Sequence, residues 1–216
     1  MRDQDEKFAE AAEYLENAIR QDVAGGFKAA DEILRIAVEV AGDGLPNPDA
    51  LLPIAQRVVR EALTDHYQEQ AGWPATTDCD RLDDAFAELE SNGIVCRQDF
   101  SCCGNCGVAE IGDEITATEA TGRDVKGYTF YHMQDTESAT EGYGLYLYYG
   151  ATEKGEAAAL EIARQIVAVL QTHGLTTEWD GSWRQRIGVK LDWKRRRPIE
   201  AGWYYPPGPG LFDHCE

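Results

Sequence analysis

Three of the six cysteines of this chain lie within five residues, in the segment Cys102-Cys103-Gly104-Asn105-Cys106-Gly107. Cys103 and Cys106 have the CxxC spacing of a zinc knuckle, in which two thiolates of one turn bind the same tetrahedral metal. A closed zinc site takes four ligands, and the chain has no second CxxC pair. The fold would have to bring the remaining ligands together, and the candidates are Cys79, Cys96, Cys102 and His132.

The same cysteines are also compatible with thiol–disulfide exchange by the Cys103–Cys106 pair. A strand, the CxxC pair and a helix predicted from about Val108 to Ala117 follow one another as in thioredoxin-like oxidoreductases, where the helix N-terminus lowers the pKa of a thiol. However, residues 98–122 contain no Lys or Arg and several carboxylates, and negative charge opposes thiolate formation. A metal dication would supply the missing positive charge, so the sequence favours a metal site over redox chemistry.

A third interpretation of the segment needs no ligand. Gly104-Asn105 is suited to a tight turn, and cysteine packs readily as a small apolar side chain. The sequence alone leaves this plain turn open beside the metal site and the redox pair.

His132 ends a predicted strand and stands close to Gln134 and Asp135. An imidazole beside an amide and a carboxylate can serve as a general base or a metal ligand. Asp135 is also suited to cap the following helix, and cap preference favours that role. No GxSxG, HExxH, P-loop or Rossmann fingerprint indicates a reaction class. The sequence therefore favours a binding or structural protein over an enzyme.

Net charge narrows the expected partners to proteins and small molecules. The 39 acidic and 20 basic residues give a formal charge of −19, which repels the phosphate backbone of nucleic acids. The basic run 194–197 is expected to pair with nearby carboxylates. The charged N-terminus and the lack of a long apolar stretch argue against a signal peptide or a membrane span. We expect a cytoplasmic protein with reduced thiols.

Hydrophobic periodicity predicts an α+β fold. Apolar residues at helical spacing indicate about four helices in an N-terminal region, 1–93, and alternating aromatic segments indicate a mixed β-sheet flanked by helices in 94–197. One long helix is predicted near 152–173, and a Pro/Gly-rich irregular tail covers 198–216.

Aromatic residues of the predicted sheet form the last candidate feature. Alternation along a strand places Tyr146 and Tyr148 on the face opposite Leu145, Leu147 and Tyr149. If the face that carries Tyr146 and Tyr148 is open to solvent, it would suit a protein-interaction surface.

Several segments of the chain are similar to a bacterial family of unknown function over about residues 20–197. They are TDCDRL at 77–82, RQDF at 97–100 with the cysteine segment, YHMQDTE at 131–137, GLYLYYG at 144–150 and WDG at 179–181. The resemblance implies a helical N-terminal part followed by an α+β part. It implies no activity and assigns no site residue.

Overall fold

A computed structural model of the protein describes residues 2–203 and has the predicted α+β architecture, with seven α-helices and a five-stranded mixed sheet in that range. Most of the predicted irregular tail, 204–216, lies outside the described residues. The described chain divides into two compact units, residues 2–73 with 196–203 and residues 74–195. No helix within 2–203 combines the length and the apolar character needed to cross a bilayer.

The helices and strands are as follows in chain order. The helices are α1 (Arg2–Gly25), α2 (Ala30–Ala41), α3 (Leu52–Ala71), α4 (Asp78–Ser91), α5 (Gly104–Glu119), α6 (Met133–Thr140) and α7 (Glu156–Thr172), with a short 3-10 turn at Pro48–Leu51. The strands are β1 (Ile94–Arg97), β2 (Gly127–Phe130), β3 (Leu145–Ala151), β4 (Thr176–Glu178) and β5 (Ile187–Lys190).

The first unit is a bundle of α1, α2 and α3. Its core contains fully buried aliphatic side chains from all three helices, including Leu15, Ile19, Ile33, Val58 and Leu63. Pro53 lies in the first turn of α3, where its missing N–H costs no helical hydrogen bond. The buried stripe of α2 runs through Ile33, Ala37 and Ala41, whereas Val40 is 50% exposed.

Helix α4 belongs to the second unit, where it packs against β1 and α7. The reason is local: only Asn92 and Gly93 separate α4 from β1, and Gly93 takes φ of 86°, a conformation that favours glycine. The N-cap of α4 is Thr77, which forms a capping box with Asp80.

The sheet of the second unit has the strand order β1-β2-β3-β5-β4. β1 and β2 are parallel, and the remaining neighbours are antiparallel. Helices α4 and α7 cover one face, and α5 covers the other face over β1 and β2. Under α5 lies a core of Val95, Ile111, Val125 and Phe130.

The parallel pair decides where the chemically active residues lie. Parallel strands end at the same edge of a sheet. The cysteine segment follows β1 and His132 follows β2, so both are at one edge.

Candidate metal centre

The loop that joins β1 to α5 has an unusual backbone. Asp99 and Ser101 both have positive φ, 51° and 65°, a conformation that costs a residue other than glycine on the order of 1–3 kcal/mol. The residue after β2 and helix α6 hold the loop in place: Phe100 N–H donates to Tyr131 O at 2.9 Å, and Thr136 Oγ1 donates to the Asp99 carboxylate at 2.7 Å. These bonds fix the loop that carries the cysteines.

Helix α5 starts earlier than its sequence suggests, at Gly104 rather than near Val108. Cys103 is therefore its N-cap residue, and Cys106 lies in its first turn. Gly104 and Asn105, for which a tight turn was an alternative prediction, are the first two residues of this helix. Glycine is a poor helix former, which is why propensity placed the start later. The CxxC pair is thus the beginning of a helix of 16 residues.

Two glycines of this turn let the helix approach the aromatic side chains beneath it. A Cβ atom on Gly104 would lie 1.9 Å from Oη of Tyr148, and one on Gly107 would lie 2.5 Å from Cε2 of Phe130. The Tyr148 and Phe130 rings are themselves stacked, with centroids 4.8 Å apart. Only residues without a side chain fit at these two positions.

The sulfurs of Cys102, Cys103 and Cys106 form one group, all within 4.8 Å of one another. Sγ of Cys102 and Sγ of Cys106 are 3.5 Å apart, and the three cysteines are free rather than joined in a disulfide. Cys102 is exposed, whereas Cys103 and Cys106 are half-buried. The arrangement offers three soft ligands to one metal at a solvent-accessible position.

Thiol acidity differs within this group. The backbone N–H of Cys106, at the start of α5, is the main cause of a lowered pKa for Cys103. The Cys102 and Cys103 thiols together raise the pKa of Cys106 to about 11. One thiolate is therefore favoured at the helix start, and a second or third needs added positive charge nearby.

The two buried cysteines do not join the group. Cys96 follows Val95, which packs under α5, so alternation along β1 directs Cys96 to the opposite face of the sheet. Its thiol donates to Ile94 O at 3.4 Å, and burial raises its pKa. Burial in α4 likewise raises the pKa of Cys79 to about 12. Both side chains are inert core residues rather than ligands.

His132 is also outside the cysteine group, because both of its ring nitrogens face Asp135. The imidazole is buried and caps α6: Asp135 N–H donates to Nδ1 at 3.2 Å, and Nε2 lies 3.1 Å from the Asp135 carboxylate. Since Nδ1 accepts, the proton of the neutral ring is on Nε2. Asp135 accepts in turn from His132 N–H, which confirms its predicted capping role.

Comparison with known proteins gives a family. The family model described as Domain of unknown function (DUF6891) matches residues 8–197. The chain belongs to this family. The match includes the cysteine segment, and it confirms the resemblance to a family of unknown function. No curated protein and no solved structure matches the chain. Membership of DUF6891 therefore assigns no activity to the chain, and a function has to be inferred from the geometry of the site.

Sequence reasoning missed one side chain near the candidate metal centre of this DUF6891 chain, that of Arg186. The Arg186 guanidinium lies over Tyr148, 4.8 Å from the ring centroid, and over Tyr146 at 5.1 Å. It also reaches the Asp135 carboxylate at 3.4 Å. The spacing of Gly104 and Gly107, which puts both on one side of a helix, is the signal that could have indicated the close approach to Tyr148.

The predicted aromatic face is partly covered in the folded DUF6891 chain. Tyr146 is 45% exposed, and Tyr148 is half-buried beneath α5 and Arg186. The opposite face of β3 is buried, as alternation predicted. The remaining open area centres on Tyr146.

The basic run 194–197 of this DUF6891 chain pairs with carboxylates, which confirms the prediction made for it. Its ion pairs include Lys194–Asp192, Arg195–Asp83 and Arg197–Glu200, with N–O distances of 2.6, 3.1 and 2.8 Å. It therefore offers little free positive charge to an anionic partner.

Proposed function

We propose that this DUF6891 chain is a metal-binding protein that holds one zinc ion on the thiolates of Cys102, Cys103 and Cys106. The observation that carries the proposal is the three-sulfur group itself. Zinc bound tetrahedrally with Zn–S bonds of about 2.3 Å keeps its sulfurs about 3.8 Å apart. The 3.5 Å between Cys102 and Cys106, and the 4.8 Å limit for the whole group, bracket that spacing.

Charge supports the same proposal. Residues 98–122 contribute no Lys or Arg to the site, and the raised pKa of Cys106 is due to the two neighbouring thiols. A zinc dication neutralises two of the three thiolates and leaves one negative charge. The N-terminus of α5 stabilises that charge through its free backbone N–H groups. The zinc ion and the N-terminus of α5 together balance the negative charge of three neighbouring thiolates.

Thiolate ligands favour zinc among the common divalent cations, because magnesium and calcium prefer oxygen. Within residues 2–203, no His, Asp or Glu side chain completes the three-sulfur group. The proposed site therefore has three protein ligands and an open fourth position, filled by water or by an external ligand. A metal bound there also links the β1–α5 loop to the first turn of α5.

Elemental analysis of protein purified under reducing conditions, with neither added zinc nor chelator, tests the proposal. We expect one zinc per chain in the unmodified protein and none in a Cys103→Ser/Cys106→Ser variant. Cys96→Ala is the matched control, because it removes a cysteine on the other face of the sheet and should keep the metal. Circular dichroism verifies that all three proteins are folded. A folded, unmodified protein without stoichiometric metal would contradict the proposal.

A further inference from the structure

We propose that Cys102 and Cys106 form a redox pair that releases the zinc when a low-molecular-weight disulfide oxidises them. This inference rests on the proposed zinc site and adds its regulation. The partner is a small disulfide such as oxidised glutathione, and the reverse reaction uses the corresponding thiol.

The geometry allows this pair and excludes the adjacent pair Cys102–Cys103. Sγ of Cys102 is 3.5 Å from Sγ of Cys106, and rotation about the side-chain bonds can shorten this to the roughly 2.05 Å of a disulfide. Cys102 and Cys103 are adjacent, and their Cα atoms, about 3.8 Å apart, are closer than the roughly 4.4 Å minimum usual for a disulfide. The Cys103–Cys106 pair predicted from sequence is the competing pair, and we place the disulfide at Cys102–Cys106 because Cys102 is the exposed cysteine of the group.

Exposure decides which sulfur reacts first. Cys102 is the exposed member of the group, whereas Cys106 is half-buried. An external disulfide can reach Cys102, and Cys106 is then the neighbouring thiol that completes the exchange. The buried Cys79 and Cys96, each with a raised pKa, do not compete.

The proposed reaction has two steps. The Cys102 thiolate attacks one sulfur of the external disulfide, which forms a mixed disulfide at Cys102 and expels one small thiolate. The Cys106 thiolate then attacks Sγ of Cys102, which forms the Cys102–Cys106 bond and expels the second small thiolate. Two electrons pass from the two cysteines to the external disulfide, and water protonates the two leaving thiolates.

Loss of the metal follows from the ligand count. A sulfur in a disulfide is no longer a thiolate ligand, so only Cys103 would remain to hold the ion. A single thiolate cannot retain zinc against water and cellular ligands. Reduction of the disulfide restores all three thiolates and the site.

The test treats the zinc-loaded full-length protein with oxidised glutathione. A chromogenic chelator follows the released zinc, and peptide mass spectrometry locates the disulfide. We expect stoichiometric zinc release, one Cys102–Cys106 disulfide and two equivalents of reduced glutathione per chain. In Cys106→Ser the mixed disulfide at Cys102 should accumulate. Cys215→Ser is the control for the cysteine outside the described residues and should behave like the unmodified protein.

The outcomes separate this inference from the zinc site. If zinc is bound and the treated protein carries a Cys103–Cys106 disulfide, or only a stable mixed disulfide, the redox pair is refuted and the zinc site stands. If no zinc is bound but the metal-free protein forms the Cys102–Cys106 disulfide, the zinc site is refuted and the pair survives only as a thiol switch. Zinc that stays bound under oxidation also refutes the release.

Discussion

At the scale of single residues, the site depends as much on two glycines as on three cysteines. Gly104 and Gly107 allow the first turn of α5, which carries Cys106, to rest on Tyr148 and Phe130. The sequence identified the cysteines from their types and spacing. It did not identify the glycines, because glycine usually marks a turn and only the packed fold shows what its missing side chain makes room for.

Gly104→Ala is expected to lower the free energy of unfolding by about 1–3 kcal/mol, since the added methyl group overlaps Tyr148. The shifted turn should also weaken zinc binding. Gly112→Ala is the matched control on the same helix: its Cβ meets nothing within 4 Å, so it should stabilise by up to about 1 kcal/mol. Urea denaturation measures both variants. Equal free energies of unfolding for Gly104→Ala and Gly112→Ala would contradict the close contact between Gly104 and Tyr148.

At the scale of elements, two parallel strands bring the cysteine loop and the start of α6 to one edge of the sheet. The sequence predicted most helices and strands because their apolar periods are strong. Strand order follows from long-range contacts that leave no local pattern, so it was not predictable. For the same reason His132 and Cys96 were candidate ligands, although one caps α6 and the other faces α4 and α7.

The variant His132→Ala tests whether His132 caps α6 without binding the metal. Loss of the capping box at α6 should lower the free energy of unfolding by about 1–2 kcal/mol, while the zinc content of the folded variant stays at one per chain. Thr77→Ala removes the equivalent cap of α4, and we expect a similar loss of stability with no effect on zinc. Chemical denaturation and elemental analysis of both variants give the answer. A folded His132→Ala protein without zinc would show that the imidazole is a ligand.

At the scale of the whole molecule, net charge controls which partners can approach. The charge of −19 is spread over a chain whose main basic run is engaged in ion pairs. We therefore expect no retention on immobilised double-stranded DNA at low ionic strength, together with strong retention on an anion exchanger. Column chromatography at low salt is sufficient. Retention on the DNA column at low salt that is lost at high salt would contradict the expectation that the protein does not bind nucleic acid.

Zinc-edge X-ray absorption of the full-length, reduced and metal-loaded protein tests the central claim most directly, because it counts the sulfurs around the ion. The account predicts three sulfur neighbours at about 2.3 Å and one lighter atom, oxygen or nitrogen, at the open position. In Cys102→Ser the sulfur count should fall to two, and in Cys96→Ala it should stay at three. A shell of oxygen and nitrogen alone would contradict a thiolate metal centre at the start of α5.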